Sequence, residues 1–187
     1  MLILKMKLHR EMYSFVLNTP YTTEVFRNIH ILDPNIMDLI LEDVEDGQRQ
    51  HLLYEYKLND YSDHINFIKD IASGFLKLKY YEHNKNKWYM DIIRYNLNHD
   101  KTPIESGLAW HCENDNDCKL ITVFMYLNVD EKITNGNLGY IDAHGIKQLL
   151  LIESGTIIIM DGRVKHCPQD PIGSGKRDLI AVSFSID

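Results

Sequence analysis

The sequence contains few cysteines and no long apolar run, and each absence excludes a class of protein. Its three cysteines are widely spaced and odd in number, so they form no disulfide framework. This use of cysteine predicts a reducing, intracellular location, the cytoplasm in particular. No stretch reaches the roughly 18 apolar residues of a membrane-spanning helix. The apolar opening Met1–Leu4 is followed at once by Lys5 and Lys7, so no secretory signal is predicted.

An excess of positive charge is also lacking. The chain carries 20 lysines and arginines against 27 acidic residues, a net charge of −7. A negative balance opposes broad binding to nucleic acid or to an anionic membrane, because both need a positive surface. With 44% hydrophobic and 25% charged residues, the composition is that of an ordinary soluble globular protein. Since no repeat or Gly/Ser-rich linker divides the chain, we predict a single domain over residues 1–187.

Residues 1–87 carry the helical signals. Asp33 can cap a helix whose first turn contains Pro34, and the apolar spacing predicts that this helix runs to about Gly47. A second helix is predicted from Ser62 or Asp63, with an apolar stripe that reaches Leu78. Both helices are amphipathic, so we expect this half of the chain, helical and in part strand, to support a core formed by the rest.

From residue 88 onward the pattern changes to short strands separated by turns. Leu120–Leu127 is apolar at nearly every position, which is typical of a strand covered on both faces. The predicted strands are Trp88–Tyr95, Leu120–Leu127, Leu138–Ile141, Gln148–Ile152, Thr156–Met160 and Leu179–Ile186. Such a series predicts a mainly β fold with flanking helices, in which residues 88–187 form a sandwich or barrel.

Two of the nine histidines stand out from the others. Seven lie in polar, helical or turn contexts and are interpreted as surface, capping or turn residues: His9, His30, His51, His64, His83, His99 and His144. In His111-Cys112-Glu113, a strand would place the first and third side chains on the same face. His166 follows a later pair of predicted strands. Two imidazoles and one carboxylate form the ligand set of non-haem Fe(II) oxygenases, which leaves positions open for oxygen and substrate.

Arg177 adds a third element at the start of the last predicted strand. There its side chain can project inward on the same face as Leu179 and Ala181. A guanidinium that faces a cavity needs an anion, and a carboxylate held by two hydrogen bonds is its natural partner.

Taken together, these segments resemble the prolyl 4-hydroxylase-like group of 2-oxoglutarate- and Fe(II)-dependent oxygenases. The resemblance runs from about Trp88 to Ile186. It is carried by the opening strand Tyr89–Tyr95, the metal motif Trp110–Glu113, the T-x-x-x-Y-L-N strand within Leu120–Asn128, the turn Asn135–Leu138, the hairpin Ser154–Asp161, His166 and Arg177.

The resemblance implies a double-stranded β-helix of the jelly-roll or cupin type, with a metal at one open end. His111, Glu113 and His166 would bind Fe(II), and Arg177 would bind the distal carboxylate of 2-oxoglutarate. Assistance with 2-oxoglutarate is expected from three further side chains: Tyr95, Thr122 and Tyr126. The implied cofactors are Fe(II) and 2-oxoglutarate, with ascorbate as a further candidate. The implied activity consumes O2 and hydroxylates a peptide or protein side chain, proline among them, or a small molecule.

This chain departs from the usual pattern of the group at two positions. Glu113 stands where the group usually has aspartate, and the extra methylene moves the carboxylate. Asn135 replaces a usual glycine in the turn, which asparagine tolerates because it can also adopt positive φ.

Three alternatives remain open at this stage. The pairs His111-Cys112 and His166-Cys167, with Cys118 near the first, could bind zinc, although no Cys-x2–4-Cys knuckle is present. The fold could also serve as a non-catalytic binding module, with Arg177 paired to a nearby aspartate such as Asp178 or Asp170. Within the oxygenases, nucleic-acid demethylases are disfavoured, because their second arginine is replaced here by Ser183 and the chain is acidic.

Overall fold

A computed structural model describes residues 23–41, 48–55, 62–76, 88–98, 109–113 and 120–185. The strands are β1 (Thr23–Phe26), β2 (Gln48–Glu55), β3 (Trp88–Leu97), β4 (Leu120–Val129), β5 (Leu138–Ile141), β6 (Lys147–Leu150), β7 (Thr156–Asp161), β8 (His166–Pro168) and β9 (Gly175–Ser185). The helices are α1 (Ile36–Ile40) and α2 (Asp63–Phe75). Within these ranges, no helix combines the length and the hydrophobicity needed to cross a membrane.

The strands form two antiparallel sheets. The larger sheet has six strands in the order β1-β7-β4-β9-β3-β2, and the smaller has three in the order β6-β5-β8. Side chains from both sheets meet in one apolar cluster, which includes Tyr95 and Phe124 from the large sheet and Leu138 from the small one. The two sheets therefore face each other, and we call the space between them the cavity.

Strand β9 shows how the large sheet separates two layers. Leu179 and Ala181 belong to the cluster on the cavity side, whereas Ile180 and Val182 belong to the cluster that contains the helices. This alternation follows from the period of two along a strand. Because β9 lies in the middle of the sheet, both of its faces are buried, as the continuous apolar runs of the sequence require.

The two predicted helices are present, with earlier ends than the sequence suggests. Asp33 caps the turn before α1, where its Oδ1 accepts a hydrogen bond from the backbone N–H of Asn35 at 3.0 Å. The helix ends at Ile40 because Leu41 is already extended, with φ −99° and ψ 140°. The prediction that this helix continues to about Gly47 is therefore wrong at its carboxyl end. Helix α2 begins as predicted, and the expected positions Leu78 and His83 lie outside the described residues.

The first half of the chain also contributes both edges of the large sheet. Strand β1 pairs with β7, and β2 pairs with β3 over eight residues, Gln48 to Glu55. Some strand is expected in this half of the chain without a location, because the run QRQHLLYE has mixed polarity and no apolar alternation. Its pairing with β3 depends on partners that lie 34 to 48 residues away in the chain.

The six strands predicted after residue 88 are all present, and five of them differ from the prediction at one or both ends. Strand β9 begins at Gly175 rather than at Leu179, so Arg177 lies inside the strand and not at its mouth. Strand β6 ends at Leu150, and its residues are mostly exposed. At Asn135–Gly136 the left-handed position belongs to the glycine, with φ 95°, while the asparagine donates from Nδ2 to the carbonyl of Asp170 at 2.8 Å.

Candidate metal centre

Three side chains from distant parts of the sequence meet at the edge of the cavity. His111, Glu113 and His166 each offer one metal-binding atom, and these atoms all lie within 4.8 Å of one another. Glu113 Oε1 is 3.2 Å from His166 Nε2 and 3.5 Å from His111 Nε2. The two imidazole rings are 4.4 Å apart between centroids. The arrangement therefore provides two nitrogens and one oxygen that point toward a common position.

Backbone hydrogen bonds hold the three residues in place. His111 and His166 exchange N–H···O bonds of 2.9 Å and 2.8 Å, and the N–H of Glu113 donates to Gly162 O at 3.0 Å. His111 thus forms an isolated bridge with β8 and does not belong to a strand of its own. The two side chains still share a side, and Cys112 between them approaches Arg163 O with its Sγ at 3.5 Å.

Each histidine ring is oriented by a hydrogen bond between its Nδ1 and a backbone carbonyl oxygen. Nδ1 of His111 lies 2.7 Å from Ala109 O, and Nδ1 of His166 lies 3.1 Å from Val164 O. A carbonyl oxygen only accepts, so each Nδ1 carries the proton and donates it. In the neutral imidazole, Nε2 then carries the free lone pair. This tautomer, with the proton on Nδ1, is the one that can bind a metal through Nε2.

The electrostatics of the centre favour a bound cation. His166 is buried, with 2% of its side chain exposed, and its ring packs edge-on against Phe124. Burial acts to raise the pKa of Glu113, but the hydrogen bonds and charges of the two histidines outweigh it and lower the pKa to about 2. The hydrogen bond with Glu113 raises the pKa of His111. The carboxylate is therefore charged at neutral pH, and a metal would compete with the proton it attracts to the imidazole.

Arg177 lies on the cavity face of β9, and only 2% of the residue is exposed. Its guanidinium is stacked between the rings of Tyr95 and Tyr126, at 5.4 Å and 5.2 Å from their centroids. Nη2 donates to Gly136 O at 2.9 Å, while Nε is buried and has no hydrogen-bond partner among the described residues. Burial raises the pKa of Tyr126 even though the charge of Arg177 opposes the increase. A buried cation with an unused donor is what a carboxylate ligand would need.

The structure separates Thr122 from this group. Its Oγ1 lies 2.8 Å from Oγ of Ser183, and both residues are buried. Thr122 precedes Tyr126 by four positions on β4, which corresponds to about 13 Å along a strand. Of the residues predicted to assist with 2-oxoglutarate, Tyr95 and Tyr126 therefore flank Arg177 and Thr122 does not.

Two alternatives from the sequence find no support in these contacts. Among the described residues, the metal-binding cluster contains no cysteine, and Cys118 lies outside them. Arg177 does not pair with Asp178, because that carboxylate lies on the opposite face of β9. There it accepts hydrogen bonds from Arg94 at 2.8 Å and 3.1 Å.

Sequence reasoning also missed side chains that β2 brings to the cavity. Arg49 lies over the outer face of the Tyr95 ring, at 5.5 Å, and so extends the stack of cations and tyrosines. His51, interpreted from the sequence as a surface or capping residue, lies 2.6 Å from a carboxylate oxygen of Asp91 through its Nε2. No signal in the sequence located β2, so neither residue could be assigned to the cavity.

No protein-family model and no curated protein sequence matches this chain. Solved structures do match. A prolyl-4-hydroxylase from Pseudomonas putida is 13% identical, with a TM-score of 0.61 over 95% of this chain and 98% of that one. A prolyl hydroxylase from Trichoplax adhaerens, in complex with a hypoxia inducible factor oxygen degradation domain peptide fragment, is 13% identical, with a TM-score of 0.58 over 99% and 92%. HygX from Streptomyces hygroscopicus, with nickel and 2-oxoglutarate bound, is 11% identical, with a TM-score of 0.59 over 94% and 86%.

These likenesses extend over nearly the whole chain, the first half included. At such low identity they establish the architecture and leave the activity to be argued from the site. The structural resemblance to prolyl 4-hydroxylases and related oxygenases expected from the sequence is confirmed. The protein has the double-stranded β-helix fold of the 2-oxoglutarate/Fe(II) oxygenases.

Proposed function

We propose that this protein is a 2-oxoglutarate- and Fe(II)-dependent oxygenase that hydroxylates a C–H bond of its substrate. The observation that carries the proposal is the convergence of His111, Glu113 and His166 on one position beside the cavity that holds Arg177. Either feature alone has simpler explanations. This chemistry needs both a three-ligand metal cluster and a buried guanidinium that can bind a carboxylate, and among the described residues no carboxylate pairs with Arg177.

The donor set fits ferrous iron. Two neutral imidazole nitrogens and one carboxylate oxygen would bind one side of the ion and leave its other positions to small ligands. The longer side chain of Glu113 is accommodated, because its Oε1 lies within 3.5 Å of both Nε2 atoms. Fe(II), when bound with 2-oxoglutarate and O2, supplies the oxidising power: one oxygen atom enters succinate with loss of CO2, and the other enters the substrate.

The protein's own contribution is to bind, orient and exclude water. Arg177 would hold the distal carboxylate of 2-oxoglutarate through the donor that no described residue uses. Tyr95 and Tyr126 are buried on either side of the guanidinium, so they keep it in one orientation and keep water away from the ion pair. The backbone carbonyls that fix the two histidine rings keep Nε2 directed at the ion.

We propose a peptide or protein side chain, proline among the candidates, as one substrate class and a small molecule as the other. The similarity to a prolyl hydroxylase in complex with a peptide supports the first. Ascorbate as an accessory reductant stays a prediction. A screen of peptides and small molecules for a mass gain of one oxygen atom, dependent on 2-oxoglutarate, would separate the two classes.

The proposal is tested by anaerobic addition of Fe(II) and then 2-oxoglutarate to the purified protein. Chelation of the iron by the 2-oxo acid should give a visible charge-transfer band, and air should then convert 2-oxoglutarate to succinate. The variant His166→Ala should lose both signals, whereas His144→Ala, in the exposed turn between β5 and β6, should keep both. A folded wild-type protein that gives no band would instead be a non-catalytic binding module.

A further inference from the structure

A second group of polar side chains lies on the cavity face of the large sheet, away from Arg177. In the register of the sheet, Phe124 pairs with Ala181, and Ala181 pairs with Asp91. Residues that pair across strands point to the same face, so these three form one row on the cavity side. The ring of Phe124 contacts the buried ligand His166. The row therefore starts under the metal centre and ends, two strands away, at a carboxylate.

The middle of this row is a small, buried side chain. Ala181 is the smallest side chain of the row, and it separates Phe124 from Asp91 by two strand spacings, which corresponds to about 10 Å. Beyond Asp91 the row continues to Leu53 on β2, an apolar side chain that is 53% exposed. A group lying over Ala181 would thus have the metal centre at one end and a carboxylate with an apolar neighbour at the other.

His51 holds Asp91 in a defined position. Its Nε2 lies 2.6 Å from Asp91 Oδ1, and about one-third of the Asp91 side chain remains exposed. Among the described residues, His51 is the hydrogen-bond partner of this carboxylate, and Oδ2 is left for another donor. Burial raises the pKa of Asp91, the hydrogen bond and the charge of His51 lower it, and the charges of Glu113 and Arg49 act in opposite directions, the first raising it and the second lowering it.

The cavity is consequently polarised along the sheet. Arg177 and Arg49 stack on the two faces of Tyr95 at one end. Asp91 and Glu113 lie at the other. A dicarboxylate suits the first end, whereas the second suits a donor of positive charge.

We propose that Asp91, oriented by His51, is a specificity-determining residue that binds an ammonium or guanidinium group on the alkyl chain of the substrate. The inference rests on the proposed function and names the chemical class of its substrate. Oδ2 accepts a charge-assisted hydrogen bond from the cation, and Leu53 contacts the alkyl chain that carries it. The bond to be oxidised then lies over Ala181, within about 10 Å of the charge.

The test compares probes that differ in this charge alone. One arm uses two pools of fluorescently labelled short peptides, identical except that lysine and arginine are replaced by acetyl-lysine and citrulline. The second arm uses alkyl amines against the corresponding alcohols. Binding is measured anaerobically with Fe(II) and 2-oxoglutarate present, from peptide fluorescence and from the shift of the charge-transfer band, so that no turnover is needed. Hydroxylation of each probe is then followed in air by mass spectrometry.

Wild-type protein should bind and hydroxylate the charged probes in preference to the neutral ones, in the peptide arm, the amine arm or both. Asp91→Asn keeps the shape and a hydrogen bond to His51, so it should lose about 10- to 100-fold of this preference. Its charge-transfer band and its KM for 2-oxoglutarate should not change. The matched control is Asp33→Asn, which removes an exposed charge at the start of α1 and retains the capping oxygen.

The outcomes separate this inference from the proposed function. Absence of the charge-transfer band in folded wild-type protein refutes the proposed function. If the band forms but wild type shows no preference for charged probes, or Asp91→Asn leaves the preference unchanged, the assignment of Asp91 is overturned. Asp91→Lys adds a further readout, because a substrate-binding role predicts that this variant rejects the charged pools.

Discussion

Replacing Arg177 by methionine should leave the stability of the metal-loaded protein without 2-oxoglutarate nearly unchanged, while it removes most of the stabilisation by 2-oxoglutarate. The reason is that this buried guanidinium has no carboxylate partner among the described residues. Burying a cation costs several kcal/mol of desolvation free energy, which must be offset by favourable interactions. In this protein we expect the offsetting interaction to be an ion pair with the bound ligand.

The magnitudes follow from the contacts of the side chain. Its hydrogen bond to Gly136 O is worth about 1.5–3 kcal/mol, and its two tyrosine contacts about 0.5–2 kcal/mol each. These gains are offset by a desolvation penalty of similar size, so the free energy of unfolding should change by less than about 2 kcal/mol. Loss of the guanidinium should weaken 2-oxoglutarate binding by about 2–5 kcal/mol, or roughly 30- to 4,000-fold.

Urea unfolding of the metal-loaded protein, with and without 2-oxoglutarate, measures both quantities. At a ligand concentration of 100 times the wild-type Kd, wild type should gain about 2.7 kcal/mol, and Arg177→Met should gain less than about 1 kcal/mol. The comparison variant is Arg94→Met, on the opposite face of the sheet. Arg94→Met removes the guanidinium partner of the Asp178 carboxylate, which is 1% exposed. The free energy of unfolding without ligand should therefore fall by about 3–5 kcal/mol. If Arg177→Met destabilises the protein as much as Arg94→Met, or keeps the ligand response, the argument is wrong.

Three further predictions concern the ion pair between Arg94 and Asp178, two glycines, and the proposed metal ligand His111. The double variant Arg94→Met/Asp178→Leu should recover most of the stability lost by either single change, as read by urea unfolding, since no buried charge is then left unpaired. Gly74→Ala, in α2 with open space around the new Cβ, should raise the free energy of unfolding by about 0.5–1 kcal/mol. Gly173→Ala, at φ 130°, would bring its Cβ into collision with the backbone oxygen of Lys132 and should prevent normal folding, as judged by circular dichroism. The hydrogen bond with Glu113 raises the pKa of His111, so this interaction stabilises the metal-free protein fully below about pH 6.5 and is lost as the pH rises through the raised pKa. The affinity for a divalent metal, measured by titration, should fall as the pH drops, because protons compete with the metal for the imidazole. A metal affinity that is independent of pH would contradict the assignment of His111 as a ligand.

The parts of the fold that were predictable are those with local signals. The continuous apolar run of β4 could only be a strand covered on both faces, and the glycines at 136 and 155 mark turns that need left-handed backbone, with φ 95° and 75°. His166 and Arg177 could be singled out because the predicted strands placed each of them next to a strand end, although Arg177 in fact lies inside β9. Their order relative to the H-x-E pair then supplied the resemblance.

The parts that were not predictable depend on distant partners. Strand β2 has no alternation of its own and is ordered by β3, so Arg49 and His51 could not be placed on the cavity wall. The segment from His111 to Glu113 does not form a strand, because after a single bridge with His166 its backbone bonds instead to Gly162. The side chains of His111 and Glu113 converge because of these backbone hydrogen bonds to distant residues, which the i, i+2 spacing alone does not reveal.

The two neighbours Arg177 and Asp178 show how far sequence proximity can mislead. Adjacent residues of opposite charge suggest a local ion pair, but on a strand they point to opposite faces. Asp178 turns to the helix side and bonds Arg94, whereas Arg177 on the cavity side contacts, among the described residues, a carbonyl and two tyrosines but no carboxylate. The structural cation is the one with a carboxylate from its own chain. The cation left without one is where a ligand should bind, and this criterion requires the register of the sheet as well as the sequence.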